Sequence, residues 1–186
     1  MARPAGPGRT ALLDAGRRLV ADDSNGTTLG TLSVNAVVAE AGMSKGAFFQ
    51  HFPARRDFVL ELHRSYHDDL GARIGAAIAG LDPGEDRLAL GISTYLDACL
   101  ATRATKTMLF DARADADLAP EVARRNAQFA EVAAGDLAAV GWSDPSSIAR
   151  LVVAAVAEVA LVEAASGRRD RRLRAAVLAL VRGSDG

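Results

Sequence analysis

The chain has 186 residues, 49% hydrophobic and 24% charged, with a formal net charge of −1. It is long enough for one ordinary domain or two small ones, apolar enough to bury a core, and too near neutrality to hold nucleic acid by overall charge. The single cysteine, Cys99, excludes an intrachain disulfide and fits a reducing cytoplasm. The opening MARPAGPGR has no apolar core, so no signal peptide is expected. The most apolar stretch, 148–166, carries Arg150, Glu158 and Glu163, too many charges for a membrane span. Arginine outnumbers lysine 20 to 2 in an alanine-rich chain, which reads as bacterial GC-rich codon usage. The charge is uneven. Residues 1–56 hold Arg3, Arg9, Arg17, Arg18, Lys45, Arg55 and Arg56 against Asp14, Asp22, Asp23 and Glu40, a net of +3, and the remainder is −4. That asymmetry points to an N-terminal surface that meets an anion.

In chain order, the periodic segments all read as helix, strand-like alternation is absent and no repeat of fixed period occurs, so the fold class is all-α. Residues 1–8, rich in proline and glycine, are expected to form a disordered arm. A first helix over about 10–21, with Thr10 as N-cap, carries the apolar stripe Leu12, Ala15, Leu19 and Val20. DDSNGTTLGT, 22–31, is a loop. Ser33 caps a short helix ending near Ala41, Gly42 supplies a left-handed turn, and Ser44 caps a second short helix over 45–51. Pro53 marks a corner into a long helix over about 54–79. DPGED, 82–86, turns into helices over about 86–102 and 105–113. Pro120 opens the next, to about 140. Asp144-Pro145 opens another that stops at Gly167, and a last helix covers about 169–182. The order is three helices, 9–53, then six, 54–186.

AGMSKGAFFQHFPARRDF, 41–58, has the helix, glycine turn, helix spacing of a helix-turn-helix. Ser44, Lys45, Gly46 and Ala47 begin its second helix with small or cationic side chains, so backbone can approach phosphate closely. Phe48 and Phe52, four apart, face inward toward Val37, Ala41 and Leu19, while Phe49 and His51 fall on the other side. Arg55 and Arg56 sit just past the corner, in reach of a backbone phosphate.

LSVNAVVAEAGMSKGAFFQHFPARRDF, 32–58, resembles the DNA-binding segment of the tetracycline-repressor (TetR) family of bacterial regulators. The shared pattern, apolar–Ala-x-x-Ala-Gly-apolar-Ser-x-Gly-x-aromatic-Tyr-x-His-Phe-x-x-Lys, is long and specific; outside it the resemblance rests on helix count and order. The chain departs at Val38, where the family has Ala, at Phe49 in place of Tyr, at Arg55 in place of Lys, and in a longer loop over SNGTTLGT. The resemblance implies that Ser33, Ser44 and Arg55 contact phosphates, with His51 a further candidate, and that Asn35, Lys45, Gly46 and Ala47 face base edges. Phe49 would pack on sugar or a thymine methyl. Lys45 to guanine and Asn35 to adenine are chemically sound pairings.

The family also implies a homodimer paired through its last two helices, an operator read as a palindrome of double-stranded DNA, and a small-molecule effector held among the middle helices, most often to relieve repression. Residues 151–162 are apolar nearly all round, so one flank faces the chain's own core and another a partner. Val152, Ala155, Val156, Val159, Leu173, Val177 and Leu180 are the candidate interface. Candidate effector-lining residues, polar, aromatic or polarisable on otherwise apolar helices, are His63, Tyr66, His67, Tyr95, Cys99, Met108, Phe110, Asn126, Phe129 and Trp142. His63 and His67, i and i+4, have chelating geometry, but no further Cys/His cluster completes a site, and Asp111, Asp115 and Asp117 read as a turn, so no metal or cofactor is expected. No phosphate cradle, nucleophile elbow or zinc-hydrolase signature is present, so no enzyme is expected. The rival reading is a helical small-molecule binding protein whose DNA module has decayed, motivated by Val38, Phe49 and the long loop. An architectural DNA protein that ignores sequence fits poorly with near-neutral charge.

Overall fold

The computed structural model describes residues 6–21, 31–111, 116 and 118–182. Across these residues the chain is all-α: α1 (Pro7–Ala21), α2 (Val34–Ala41), α3 (Lys45–His51), α4 (Arg55–Ile78), α5 (Glu85–Ala101), α6 (Arg103–Asp111), α7 (Ala119–Val140), α8 (Pro145–Ser166) and α9 (Arg171–Val181). The long loop expected around SNGTTLGT lies outside the described residues up to Gly30, as do residues 1–5.

The helix ends follow from capping chemistry. Ser33 and Ser44 accept the N–H of Ala36 and Ala47, each at 3.1 Å, and Asp144 and Asp170 do the same for α8 and α9. Gly42 ends α2 at φ 64, and Met43 N–H returns to the Val38 carbonyl at 2.8 Å. That left-handed step costs a residue with a Cβ about 1–2 kcal/mol, which is why glycine occupies it. The N-cap expected at Thr10 is corrected: α1 starts at Pro7, whose missing N–H suits a first turn, and Thr10 lies inside the helix. Part of the stretch expected as an arm is therefore helical.

Two cores meet along α4. The first gathers Leu12, Val37, Phe48, Phe52, Phe58 and Leu62 with Met108, Leu109 and Leu118. Its centre is an aromatic trio, with Phe58 5.4 Å from Phe48 and 5.2 Å from Phe52 between ring centroids. α1 lies close on α4 because Gly16 has no side chain; a methyl there would come 2.6 Å from Phe58 Cζ. The second core joins Leu70 of α4 to α5, α7, α8 and α9 through Leu96, Leu137, Val159 and Val177. Tyr66 packs against both. The first core crosses the division drawn at 53/54, since α4 and α6 close the helix-turn-helix from below.

Buried ion pairs fasten the helices of the body. Glu121 of α7 is bound by Arg64, Arg124 and Arg125, and Arg125 also meets Asp68 at 2.5 Å. Burial would raise the Glu121 carboxyl, but the hydrogen bond from Arg124 and the charges of Arg64 and Arg124 hold it well below the usual carboxylate range. Asp136 accepts from Arg87 Nε at 2.6 Å and from Gly84 N–H at 3.0 Å. Arg174 of α9 grips the fully buried Glu163 of α8 and Asp97 of α5, each at 2.6 Å.

Candidate nucleic-acid interface and ligand cavity

The local chemistry of α2 and α3 leaves one polar face open. Ser33, Asn35, Ser44, Lys45 and Gly46 are exposed and Ala47 is half-buried. Each capping serine accepts a backbone N–H through its oxygen, which leaves its own O–H free to donate to a phosphate. Lys45 has no ion-pair partner among the described residues. Phe49 is 49% exposed beside this face and packs edge-on against Phe48 at 5.4 Å, an apolar surface with no hydroxyl to donate.

Two expected phosphate contacts sit differently from the rest. Arg55 is half-buried and donates from Nε to the Leu32 carbonyl at 2.7 Å, so it ties the approach to α2 onto α4. His51 is half-buried beneath the start of α1, where a methyl on Gly8 would come 2.6 Å from His51 Nε2. Arg9 covers the same corner, bonded to Glu61 at 2.9 Å and 4.8 Å above the Phe52 ring.

Between α4, α5, α6, α7 and α8 lies a cavity of about 460 Å³. His63, His67, Tyr95, Asn126 and Phe129 line it. Other expected lining residues do not. Tyr66 turns its hydroxyl to Thr102 at 2.9 Å and to Cys99 at 3.9 Å, and Cys99 is buried beside it. Met108 fills the first core, and Trp142 leans on α9 with Nε1 3.5 Å from the Val181 carbonyl. The Phe110 side chain and residues 115 and 117 lie outside what the structure describes. The sequence reading missed the three cations of the wall, Arg87, Lys106 and Arg125. Lys106 is buried and donates to the Tyr95 hydroxyl at 2.7 Å. It is one of two lysines in a chain that otherwise uses arginine, the only signal that could have singled it out.

His63, 2% exposed, and His67 stack at 4.4 Å between ring centroids, and the Nδ1 of each is buried without a partner. Both imidazoles are neutral. Burial lowers His63 to about 4, with Glu121 opposing and Arg125, Lys106 and Arg64 reinforcing. Burial, then His63, Lys106 and Arg125, lowers His67 to about 2. Among the described residues no group of three or more His, Cys, Asp or Glu is placed to hold a metal ion.

The expected pairing residues divide between two faces. Val152, Val156, Val159 and Val177 are buried within the chain, and the first two line the cavity, so they are corrected from candidate interface to core. Leu173 and Leu180 are exposed and Ala155 is half-buried, and Leu151 and Ala154 of the apolar stretch 151–162 are exposed with them. Residues 151–162 of α8 are apolar nearly all round, so the pattern does not say which flank faces inward; the packing of α7 and α9 does. No helix of the described residues is long and apolar enough to cross a membrane.

The sequence pattern described as "Bacterial regulatory proteins, tetR family" matches residues 12–62, from α1 to the first turns of α4. No curated protein matches the chain. Among solved structures, a transcriptional regulator from Rhodococcus sp. Rha1 superposes with a TM-score of 0.77 at 23% identity, over 93% of each chain. A TetR-like transcriptional regulator from Rhodococcus sp. RHA1 gives 0.73 at 17%, over 97% of this chain and 96% of that one. EbrR, a multidrug binding protein solved with imidazole, gives 0.75 at 20%, over 97% and 98%. At these identities the superpositions establish the fold, while the matched segment coincides with the capped helix-turn-helix and its aromatic core. Residues 12–62 therefore carry the pattern of the tetR family of bacterial regulatory proteins, on a chain whose described helices have the fold of these solved regulators.

Proposed function

We propose that the chain is a cytoplasmic homodimeric repressor that binds a palindromic operator through α2 and α3 and is released when a small molecule fills the cavity. In this reading 9–53 is the DNA-binding unit and 54–186 the effector and pairing unit. Lys45, Asn35, Gly46 and Ala47 meet base edges, Ser33 and Ser44 donate to phosphates, and Phe49 packs on sugar or a thymine methyl. Arg55 adds a phosphate contact. The observation that carries the reading is that α4 belongs to both sites: Phe58 and Leu62 are built into the helix-turn-helix core, and His63 and His67, one residue and one turn further on, line the cavity. A ligand that binds better to one placement of α4 than to another shifts the population of DNA-competent dimers, since only differential affinity drives such a change.

The test is fluorescence anisotropy and footprinting of the full chain on the promoter fragment beside its own gene, across a salt series. A protected palindrome is expected, with affinity at least about a thousandfold above random DNA and log K falling steeply with log salt. Binding no tighter than to random DNA would leave the rival, a ligand-binding body with a decayed DNA module.

A further inference from the structure

The wall of the cavity is polarised along its length. On α4 the lining residues run His63, His67, Gly71, Ile74, Ile78, steps of three and four, so one stripe passes from imidazoles to branched aliphatics. On α5 they run the opposite way, Leu88, Ile92, Tyr95. The two helices are aligned so that these ends coincide: a methyl on Gly91 would lie 3.7 Å from both Ile74 and Ile78. Phe129 of α7 joins the polar ends, with its ring centroid 6.5 Å from His67 and 6.2 Å from Tyr95. Lys106 of α6 lies on the Tyr95 hydroxyl at that same end.

Charged side chains line both ends. Over the described lining residues, Arg87, Lys106 and Arg125 outnumber Asp68 and Asp136. Asp136 is bound by Arg87, away from the imidazoles, and Asp68 by Arg125. Glu121, the other carboxylate near His63, is held by three arginines. The polar end therefore carries two neutral imidazoles in a positive surrounding. The Nδ1 of each ring is buried without a partner, so both imidazoles bring unsatisfied polar edges to this end of the wall. A cationic head would be repelled there. A wholly apolar ligand would leave polar edges desolvated without a partner. A carboxylate suits such an end best, because its charge is attracted there and its two oxygens offer about four acceptor sites.

We propose that the cavity takes an amphipathic organic acid, its carboxylate seated by Lys106, Tyr95, His63 and His67 and its hydrocarbon body against Ile74, Ile78 and Ile92. This rests on reading the cavity as the effector site. From His67 to Ile78 α4 rises about 16 Å, room for an extended alkyl body.

Isothermal titration of the full chain with decanoate, 1-decanol and decylamine, each below its micellar concentration, separates the head group from the tail. Decanoate is expected to bind at least about tenfold tighter than 1-decanol, with decylamine the weakest. Lys106→Met is expected to close the gap between acid and alcohol while its thermal melt stays cooperative. If that variant does not fold, the wild-type series alone decides. Equal binding of alcohol or amine, no binding of any of the three, or a folded Lys106→Met that keeps the full preference would overturn the proposal. Decanoate binding with the expected preference but without operator release would uphold it and sink the effector reading instead.

Discussion

Lys45 and Arg55 are both cations beside one motif, and the fold gives them different duties. Lys45 is exposed at the start of α3, so Lys45→Ala should cost about 1–3 kcal/mol of operator affinity with an unchanged melting temperature. Arg55 also holds the Leu32 carbonyl, so Arg55→Ala should weaken the operator complex and remove about 1 kcal/mol of stability as well. Anisotropy paired with thermal melts distinguishes the two. His63 and His67 act on stability through acid. Their folded values, about 4 and about 2, lie below the ordinary 6.5, so the unfolded chain takes up protons that the folded chain refuses. Their stabilising effect is complete above pH 6.5 and drains as the pH falls, until about 4 for His63 and about 2 for His67. The loss is at most about 1.4 kcal/mol per pH unit for each imidazole. Melts between pH 7 and 4.5 should therefore fall more steeply for wild type than for His67→Gln.

Whole helices are fixed to one another by few charged groups in dry places. α9 is eleven residues long, and Arg174 near its start is bonded to Glu163 in α8 and Asp97 in α5. Glu163 is fully buried, so removing its partner strands a carboxylate away from water. Arg174→Met should cost about 3–5 kcal/mol in urea unfolding, and adding Glu163→Gln should recover part of it, because the charge that needed a partner is gone. Among the described residues α4 serves both cores, with Phe58 in the first and Leu70 in the second. A change in its tilt is felt at both ends, since packed interiors transmit displacement rather than absorb it.

For the whole molecule, the outer faces of α8 and α9 hold the two most exposed large apolar side chains among the described residues. Leu151 is 66% exposed and Leu180 54%. A stable pairing needs about 800 Å² from each partner, which two helices can supply, and the exposed Ala154 leaves room for close approach. Leu151→Glu with Leu180→Glu should give a monomer by light scattering, with its helical content kept and its operator affinity lost, because two half-sites must be held at a fixed separation. Val156→Glu should unfold the chain instead, since Val156 lies inside it.

The recognition module was legible before any coordinates because its signals are local. A serine cap, a glycine at a left-handed turn and phenylalanines four apart specify α2, the turn and α3 within twenty residues. Helix number and order followed from the same kind of punctuation, with errors of a few residues at ends such as Pro7, where a proline serves as well as a cap. What lay beyond local pattern was decided by tertiary contact. Arg55 reaches back 23 positions to Leu32, Lys106 meets Tyr95 in the cavity wall, and α8, apolar nearly all round over 151–162, learns its inner flank only from α7 and α9. Capping and turning are settled between neighbours in the chain; which face of a helix is inside, and what shares a cavity, is settled only by the helices packed around it.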